Sequence, residues 1–249
     1  MRTQGEPLPA VFRLDSGPET CDVAAMKRDM KICGLKSEEA VRAAVDGGAT
    51  HIGFIFFPKS PRNIDPADAG ALADAVRGKV KVVAVTVDAD NDFLDEIVAM
   101  TRPDMLQLHG HESPERVLNV KAVYGLPVIK AMPVREADDL KKVGPYIGIA
   151  DRFLFDAKPP AGADLPGGNG VSFDWKLMHL LDDDVDYMLS GGLNKDNIAE
   201  ALAVTRAPGI DVSSGVESAP GVKDVGMIEA FFDAVAHAGV PASVAGRAT

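Results

Sequence analysis

Residues 30–57, MKICGLKSEEAVRAAVDGGATHIGFIFF, contain one complete strand–helix–strand unit. The apolar runs Met30–Cys33 and His51–Phe56 have the length and composition of buried strands. Between them, Ser37–Asp46 is predicted to be a helix, because a serine followed by two glutamates is a typical helix start. Strands that alternate with helices predict parallel pairing through right-handed crossovers.

The same unit recurs along the chain. Eight apolar runs predict strands at Met30–Cys33, His51–Phe56, Val80–Val87, Met105–His109, Val128–Ala131, Arg152–Asp156, Tyr187–Ser190 and Ile210–Val212. Helices are predicted after them at Ser37–Asp46, Pro66–Arg77, Asp92–Thr101, Pro114–Val123, Glu136–Val143, Phe173–Leu181, Lys195–Thr205 and Asp224–Ala236. Eight units could close into a barrel or spread into a doubly wound sheet. The count of eight and the lack of a dinucleotide glycine fingerprint after the first strand favour an α/β fold, a single-domain (β/α)₈ TIM barrel over residues 29–240.

The two ends of the chain differ from this repeat. Residues 1–28 are interrupted by glycine and proline and show no sustained period. They are predicted to be a poorly ordered N-terminal extension, or at most a short helix at Cys21–Met26. Residues 241–249 are predicted to be a frayed C-terminal tail.

Composition argues against several classes of protein. The net charge of -11 argues against a nucleic-acid partner, which would select a basic face. Two cysteines are too few for a disulfide framework and favour a reducing compartment, so we predict a cytoplasmic protein. No apolar run approaches the roughly 20 residues of a membrane span, and the N-terminus lacks the apolar core of a signal peptide.

Polar residues recur at alternate positions of the predicted strands. Because side chains alternate across a strand, residues two apart share a face. Three pairs follow this spacing: Lys31 with Cys33, Gln107 with His109, and Asp211 with Ser213. Arg152, Leu154 and Asp156 share a face in the same way. The face toward the helices must be apolar, so we expect these residues to point into the barrel. They cluster toward the strand ends where active sites of this fold lie.

Cys33 has two interpretations. A single cysteine is most often a small buried hydrophobic residue. Its inward position, two residues after Lys31, favours a reactive thiol, because a nearby ammonium would lower the thiol pKa from about 8.5. Lys31 could instead pair with an interior carboxylate such as Asp211, and both interpretations can hold together.

Asp156 is either a cap or a general acid. A carboxylate at a strand end often caps the next element, but here residues 157–170 form a loop with three prolines and four glycines. Loops of this length in a compact domain are usually functional, so this one could close over Asp156 as a lid. We favour the general acid.

Arg62 ends the segment Phe57–Arg62, which follows the second predicted strand. The segment could cross the barrel mouth and bring the guanidinium to a substrate carboxylate, which it would bind through paired hydrogen bonds. The alternative is a solvated loop arginine.

Two loops of small residues predict an anion site. Gly191 and Gly192 follow the seventh strand, and Ser213, Ser214 and Gly215 follow the eighth. Their backbone amides are uncovered by side chains, and the loops after strands seven and eight are the recurrent phosphate site of this barrel. Either loop alone is weak support, because glycine commonly just permits a turn.

A metal site is disfavoured. His109 and His111 could converge, but no further histidine obviously completes the three ligands of a catalytic zinc. We interpret His109 as an interior hydrogen-bonding group that faces the substrate, and we expect no metal.

Seven stretches together resemble the phosphoribosylanthranilate isomerase family of tryptophan biosynthesis, over about residues 29–240. They are Lys31-Ile32-Cys33-Gly34, Phe57-Pro58-Lys59-Ser60-Pro61-Arg62, Gln107-Leu108-His109-Gly110, Phe155-Asp156-Ala157-Lys158, Gly167-Gly168-Asn169-Gly170 with Phe173-Asp174-Trp175, Ser190-Gly191-Gly192-Leu193, and Asp211-Val212-Ser213-Ser214-Gly215-Val216-Glu217. Jointly they are specific, although most are individually weak. Asn169 departs from the threonine usual in the family.

The resemblance implies an aldose–ketose isomerase, an intramolecular oxidoreductase that carries out an Amadori rearrangement of N-(5-phosphoribosyl)anthranilate. It implies Asp156 as general acid and Cys33 as general base. Arg62 would lie near the anthranilate carboxylate and Asp211 near the bridging amine, and the glycine and serine loops would hold the phosphate. The implied partner is this phosphorylated aminosugar, with no cofactor, no nucleic acid and no membrane, and the protein would be a monomer or homodimer.

Three alternatives remain open at this point. Indole-3-glycerol-phosphate synthase uses the same barrel but relies on catalytic lysine and glutamate residues, whereas here Cys33 and Asp156 occupy the key strand ends, which disfavours it. A pentose-phosphate epimerase would need further metal ligands. A catalytically dead barrel that only binds a ligand or partner predicts that Cys33 and Asp156 do not share a pocket.

Overall fold

The computed structural model of the chain describes residues 28–158, 162, 165–168 and 170–238. Within these residues, eight parallel strands pair in sequence order and the eighth closes on the first. The predicted (β/α)₈ barrel is therefore confirmed. The predictions for the extension, the helix at Cys21–Met26 and the tail at 241–249 lie outside the described residues.

The barrel strands are β1 Asp29–Cys33, β2 His51–Phe56, β3 Lys81–Thr86, β4 Met105–Leu108, β5 Val128–Val134, β6 Arg152–Ala157, β7 Tyr187–Leu189 and β8 Gly209–Val212. All but β5 agree with the predicted bounds to within one residue at each end. β5 continues three residues further than predicted, because Met132, Pro133 and Val134 pair with the last residues of β6. This pairing extends the ladder up to Asp156.

The α-helices in the described ranges are α1 Glu38–Asp46, α2 Pro66–Ala75, α3 Asn91–Thr101, α4 Pro114–Tyr124, α5 Ala137–Leu140, α6 Ile198–Thr205 and α7 Val225–His237. Several begin as their sequence predicts. Ser37, Asp65 and Ser113 each accept a hydrogen bond from a backbone N–H of the first turn, and α2 and α4 carry proline at the start. These caps satisfy amides that have no partner inside the helix.

Three predicted helices differ from the structure. The fifth is the single turn α5 continued by a 3₁₀ helix at Lys141–Tyr146, and the sixth is a 3₁₀ helix at Trp175–Leu180. The seventh begins at Ile198 rather than Lys195. The side chain of Asn197 accepts from the Asn194 amide and donates to the carbonyl of Gly192, so it ties down the preceding loop.

The chain between β8 and α7 contains elements that the sequence analysis did not predict. A 3₁₀ turn at Ser214–Val216 leads into a two-stranded antiparallel ribbon, β9 Glu217–Ala219 and β10 Val222–Lys223. The ribbon lies beside the segment before Arg62, since a β-carbon on Gly221 would come within 2.3 Å of the Pro61 carbonyl oxygen. It therefore braces one side of the barrel mouth.

Two apolar clusters form the core. The larger cluster lies between the strands and the helices. The smaller one fills the barrel interior and consists of Cys33, Val83, Val85, Met105, Ile129, Ala131, Leu154 and Met188. At the amino ends of the strands, Arg152 pairs with Asp29 and Asp186 at 2.7 and 2.8 Å. Arg152 therefore forms ion pairs at the end of the barrel opposite the cavity and is not a residue of the site. No helix in the described residues is long and apolar enough to cross a bilayer.

Candidate active site

A cavity opens at the carboxyl ends of the strands and takes in about 670 Å³, including its open mouth. This is within the usual range for small-molecule sites, about 300–1,000 Å³. Its lining includes most of the predicted site residues, namely Cys33, Arg62, His109, Asp156, Gly191, Gly192, Asp211, Ser213 and Ser214. Cys33 and Asp156 thus share one cavity, which is not what the dead-barrel alternative predicts.

Cys33 is the last residue of β1 and is 4% exposed. Beneath it, Lys31 Nζ lies 2.8 Å from Asp211 Oδ1, and both side chains are buried. The other oxygen of Asp211 accepts a hydrogen bond from Ser190 Oγ at 3.2 Å. Lys31 therefore pairs with an interior carboxylate, which was one of its two predicted roles.

The pKa of Cys33 is raised above its ordinary value of 9.0, mainly because burial disfavours the thiolate. The ammonium of Lys31 acts in the opposite direction, but the nearby carboxylate of Asp211 offsets it. The expected effect of Lys31 is therefore present, but the thiol pKa is not lowered overall, because the thiol is buried and the lysine charge is already paired with Asp211.

Gly53 on β2 makes room for the thiol. A β-carbon at this position would lie 2.9 Å from Cys33 Sγ and 3.1 Å from Lys31 Cε. Such contacts are shorter than packed side chains tolerate. The absence of a side chain on β2 therefore defines where the sulfur stands, and the sequence analysis did not identify this residue.

Asp156 lies near the end of β6 and is 5% exposed. Its Oδ1 accepts the N–H of Ala157 at 2.9 Å, so it caps no helix. Its Oδ2 lies 3.4 Å from His109 Nε2. A β-carbon on Gly167 would come within 2.4 Å of Oδ2, so this part of the β6 loop lies directly on the carboxyl group. This contact agrees with the predicted covering of Asp156.

His109 extends the polar network across the cavity. Its Nδ1 lies 3.0 Å from Gln107 Nε2. With the amide as donor, Nδ1 is the acceptor and the proton is on Nε2, the nitrogen that faces Asp156. His111 points elsewhere, with a largely exposed ring beside Asp88. The two histidines do not converge, and no set of three metal-binding side chains exists among the described residues.

Arg62 reaches the cavity but is already bound. Its Nε and Nη2 donate to the two carboxylate oxygens of Glu217 at 2.8 and 2.9 Å, and Nη2 also lies 3.3 Å from the carbonyl oxygen of Gly168. The side chain is only 5% exposed, so the alternative of a solvated loop arginine is wrong. Gly34, with φ of 79°, leaves the space that the Arg62 stem occupies.

The two small-residue loops form one wall of the cavity. Gly191 and Gly192 have φ of 88° and 65°, a region that favours glycine. Within the described residues, the amides of Gly191, Gly192 and Ser214 donate no hydrogen bond, and Ser214 begins a 3₁₀ turn. Free amides at the start of a turn suit an anion. Gly215 is not part of the lining; it lies behind the wall, where a β-carbon would meet the Leu193 carbonyl.

Several residues of the site were absent from the predicted set. The strand alternation points to Gln107, which is buried and has no partner for its Oε1 among the described residues. Ser190 adjoins the predicted loop at Gly191. Glu217 ends one of the seven stretches that resemble the family but had no predicted role, and Lys223 carried no signal. Both lie in the ribbon that the sequence does not predict.

Comparisons with known proteins show the family of this chain. A family model described as N-(5′-phosphoribosyl)anthranilate (PRA) isomerase matches residues 30–234. The N-(5′-phosphoribosyl)anthranilate isomerase of Rhizobium rhizogenes is 71% identical over 221 residues, or 89% of this chain and 100% of the relative. That of Sinorhizobium fredii is 70% identical over 213 residues, or 86% of this chain and 95% of the relative.

Solved structures give the same result. The phosphoribosylanthranilate isomerase of Thermotoga maritima superposes with a TM-score of 0.75 at 33% identity, covering 84% of this chain and 98% of that one. A phosphoribosylanthranilate isomerase in complex with reduced 1-(o-carboxyphenylamino)-1-deoxyribulose 5-phosphate superposes with a TM-score of 0.73 at 32% identity, with the same coverage of both chains.

Proposed function

The chain belongs to the N-(5′-phosphoribosyl)anthranilate isomerase family of tryptophan biosynthesis, and on this premise we propose that Cys33 and Asp156 are its catalytic base and acid. The protein is an isomerase that converts N-(5-phosphoribosyl)anthranilate to 1-(2-carboxyphenylamino)-1-deoxyribulose 5-phosphate. The single observation that carries the assignment is that the thiol and the carboxyl group, from β1 and β6, line one cavity.

The substrate is placed by its two charged ends. The phosphate lies against the free amides of Gly191, Gly192 and Ser214. The anthranilate carboxylate lies near Arg62. The reduced form of the same product is bound by a relative in this family. The bridging amine lies near Asp211, which Lys31 holds in place through a buried contact of 2.8 Å.

Asp156 begins the reaction as a general acid. It transfers a proton to the ribose ring oxygen, the bond from that oxygen to C1 breaks, and the nitrogen lone pair forms a double bond to C1. The nitrogen keeps its hydrogen, so the product is a protonated imine. Oδ2 suits this role because it lies beneath Gly167, away from bulk water, and its contact with His109 Nε2 is long, at 3.4 Å. A buried carboxyl group that holds a proton until the leaving oxygen takes it is the requirement of this step.

Cys33 completes the reaction as a general base. The thiolate removes the proton from C2 of the protonated imine, and the electron pair of the C2–H bond forms the C1=C2 double bond of the enolamine. The enolamine tautomerises to the ketone as C1 gains a proton and the C2 hydroxyl loses one. The raised pKa of Cys33 has two effects. Fewer molecules carry the thiolate at neutral pH, but each thiolate is a stronger base toward a carbon acid.

Replacement of each catalytic group tests the assignment. Cys33→Ala and Asp156→Asn should each lower kcat by about 10²–10⁴-fold, the usual cost of removing a general acid or base. Binding of the reduced product, measured by calorimetry, should persist in both variants. More than about a tenth of the wild-type kcat in either variant would reject the role of that residue. Wild-type protein without turnover would reject the function itself.

We also propose a cytoplasmic location and a monomeric or homodimeric state, with no nucleic-acid partner and no cofactor. The low cysteine count supports the location. A relative from Thermotoga maritima is described as dimeric, which supports the homodimer. Sedimentation of the purified full chain separates the two states.

A further inference from the structure

The Arg62–Glu217 contact is a paired fork in the wall of the cavity. Two nearly equal hydrogen bonds join Nε and Nη2 to the two carboxylate oxygens, and both side chains are about 5% exposed or less. A fork of this kind fixes the plane of the guanidinium as well as its position. The remaining nitrogen, Nη1, donates no hydrogen bond among the described residues, and a β-carbon on Gly168 would come within 2.5 Å of it.

Lys223 joins this fork to the phosphate wall. Its Nζ donates to Glu217 Oε1 at 2.7 Å and to the carbonyl and hydroxyl oxygens of Ser213 at 2.9 and 3.2 Å. The hydroxyl of Ser213 also donates to the carbonyl of Cys33 at 3.0 Å. One buried ammonium therefore contacts both the group that holds Arg62 and the loop that faces the phosphate.

The charges of the three side chains sum to one positive charge. The Arg62–Glu217 pair alone would be neutral and would offer a carboxylate little attraction. With Lys223 added, the buried group carries one net positive charge, which matches the single carboxylate of the proposed substrate. Buried charges interact strongly because little water screens them.

We propose that Glu217 and Lys223 are positioning residues for substrate recognition: Glu217 orients Arg62 toward the substrate carboxylate, and Lys223 keeps the group cationic and holds Ser213 in the phosphate wall. This inference rests on the proposed function, because it assumes that the substrate carries a carboxylate at one end and a phosphate at the other. Neither residue is required to touch the substrate.

The carboxylate preference of the site provides the readout. It is the ratio of the affinities for two analogues, the reduced product and the same compound with phenyl in place of carboxyphenyl. Glu217→Asp keeps the charge but withdraws it by one carbon–carbon bond, about 1.5 Å, which breaks the fork. The preference should fall about tenfold or more, as expected for one lost hydrogen bond to a charged group. The affinity for the phenyl analogue should change less than about twofold.

The same substitution made in Arg62→Ala protein shows whether Glu217 acts through Arg62. In Arg62→Ala protein, Glu217→Asp should cause no further loss of preference, because the oriented group is gone. Equal losses in both backgrounds would overturn the proposal, as would an unchanged preference in the single variant. If Glu217→Asp does not fold, Glu217→Gln keeps the side-chain length but loses one charged acceptor, and the same pattern is required of it.

Lys223→Met should lower the carboxylate preference. It should also lower the affinity for both analogues, because Ser213 loses its hydrogen bonds from Lys223. Retention of both affinities would remove Lys223 from the proposal. The matched controls are Glu200→Asp and Lys141→Met, which are exposed and should change neither quantity. Failure of the proposed function would appear differently, as wild-type protein that does not turn over the substrate. An active wild type with no preference for the carboxylated analogue would reject this inference alone.

Discussion

The ammonium of Lys31 lies 2.8 Å from the carboxylate of Asp211, and the two residues are register partners across the β1–β8 seam that closes the barrel. They are 180 positions apart in sequence. The pair lies directly below Cys33. The β1–β8 pairing that closes the barrel therefore also forms the base of the cavity.

Loss of Lys31 should therefore destabilise the whole barrel. Lys31→Met leaves the buried side chain of Asp211 without its ion-pair partner, and breaking a buried pair in this way typically costs about 3–5 kcal/mol of unfolding free energy. Urea unfolding followed by circular dichroism measures the loss. The double variant Lys31→Met with Asp211→Asn should recover much of it, because no unpaired charge remains. A single-variant loss below about 1 kcal/mol would show that water reaches Asp211.

The ionisation of Cys33 should reflect its raised pKa. Because burial raises that pKa above 9.0, the thiolate should form mainly in alkaline solution. The rise in thiolate absorbance, taken as the difference between wild type and Cys33→Ser, should have its midpoint above pH 9.0. kcat/KM is not the measure here, because it also depends on the proton that Asp156 donates. A midpoint at or below neutral pH would contradict this prediction.

Gly53 offers a test of how closely the thiol must be placed. Gly53→Ala would put a methyl group 2.9 Å from Cys33 Sγ, so the sulfur must move. We expect kcat to fall at least about tenfold, because small displacements of a reacting group are costly. The stability cost of overpacking should be only about 1–3 kcal/mol.

Gly144→Ala is the matched control, since a β-carbon there meets nothing within 4 Å and the residue lacks a positive φ. It should leave kcat unchanged. If Gly53→Ala retains full kcat, the position of the sulfur is less restricted than the structure indicates.

His51, at the opposite end of the barrel, should make the free energy of unfolding depend on pH. Burial lowers its pKa from 6.5 to about 4, although the charge of Asp29 partly opposes the shift. Between these two values the unfolded chain binds a proton that the folded protein does not. Stability from this group is therefore complete above pH 6.5 and is lost as pH falls toward 4, at up to about 1.4 kcal/mol per pH unit.

His51→Gln should flatten this part of the stability curve, measured by denaturant unfolding at several pH values. Asp29 contributes in a different window. Its pKa is lowered by its hydrogen bond and charge contact with Arg152, which outweigh burial. Its contribution is present above pH 3.8 and is lost only below that value. An unchanged slope between pH 6.5 and 4 in His51→Gln would show that another group titrates there.

The sequence by itself determined the repeat and the end of the barrel that carries the site. Apolar runs separated by capped helices count to eight, and strand alternation places Cys33, His109 and Asp211 inward, because the period of a strand is a local property of the backbone. Local pattern also located the two small-residue loops. It was less successful for the elements after β5 and β6, where helical composition led to 3₁₀ turns.

Only the tertiary structure decided the electrostatics of the site. The raised pKa of Cys33 depends on its burial and on the pairing of Lys31 with Asp211, and the orientation of Arg62 depends on Glu217 from the far end of the chain. Both properties depend on several neighbouring residues that closure of the barrel brings together. Strand alternation predicts that a charged side chain points inward. The electrostatic energy of that side chain depends on which other charges the fold places beside it and on how much water reaches it.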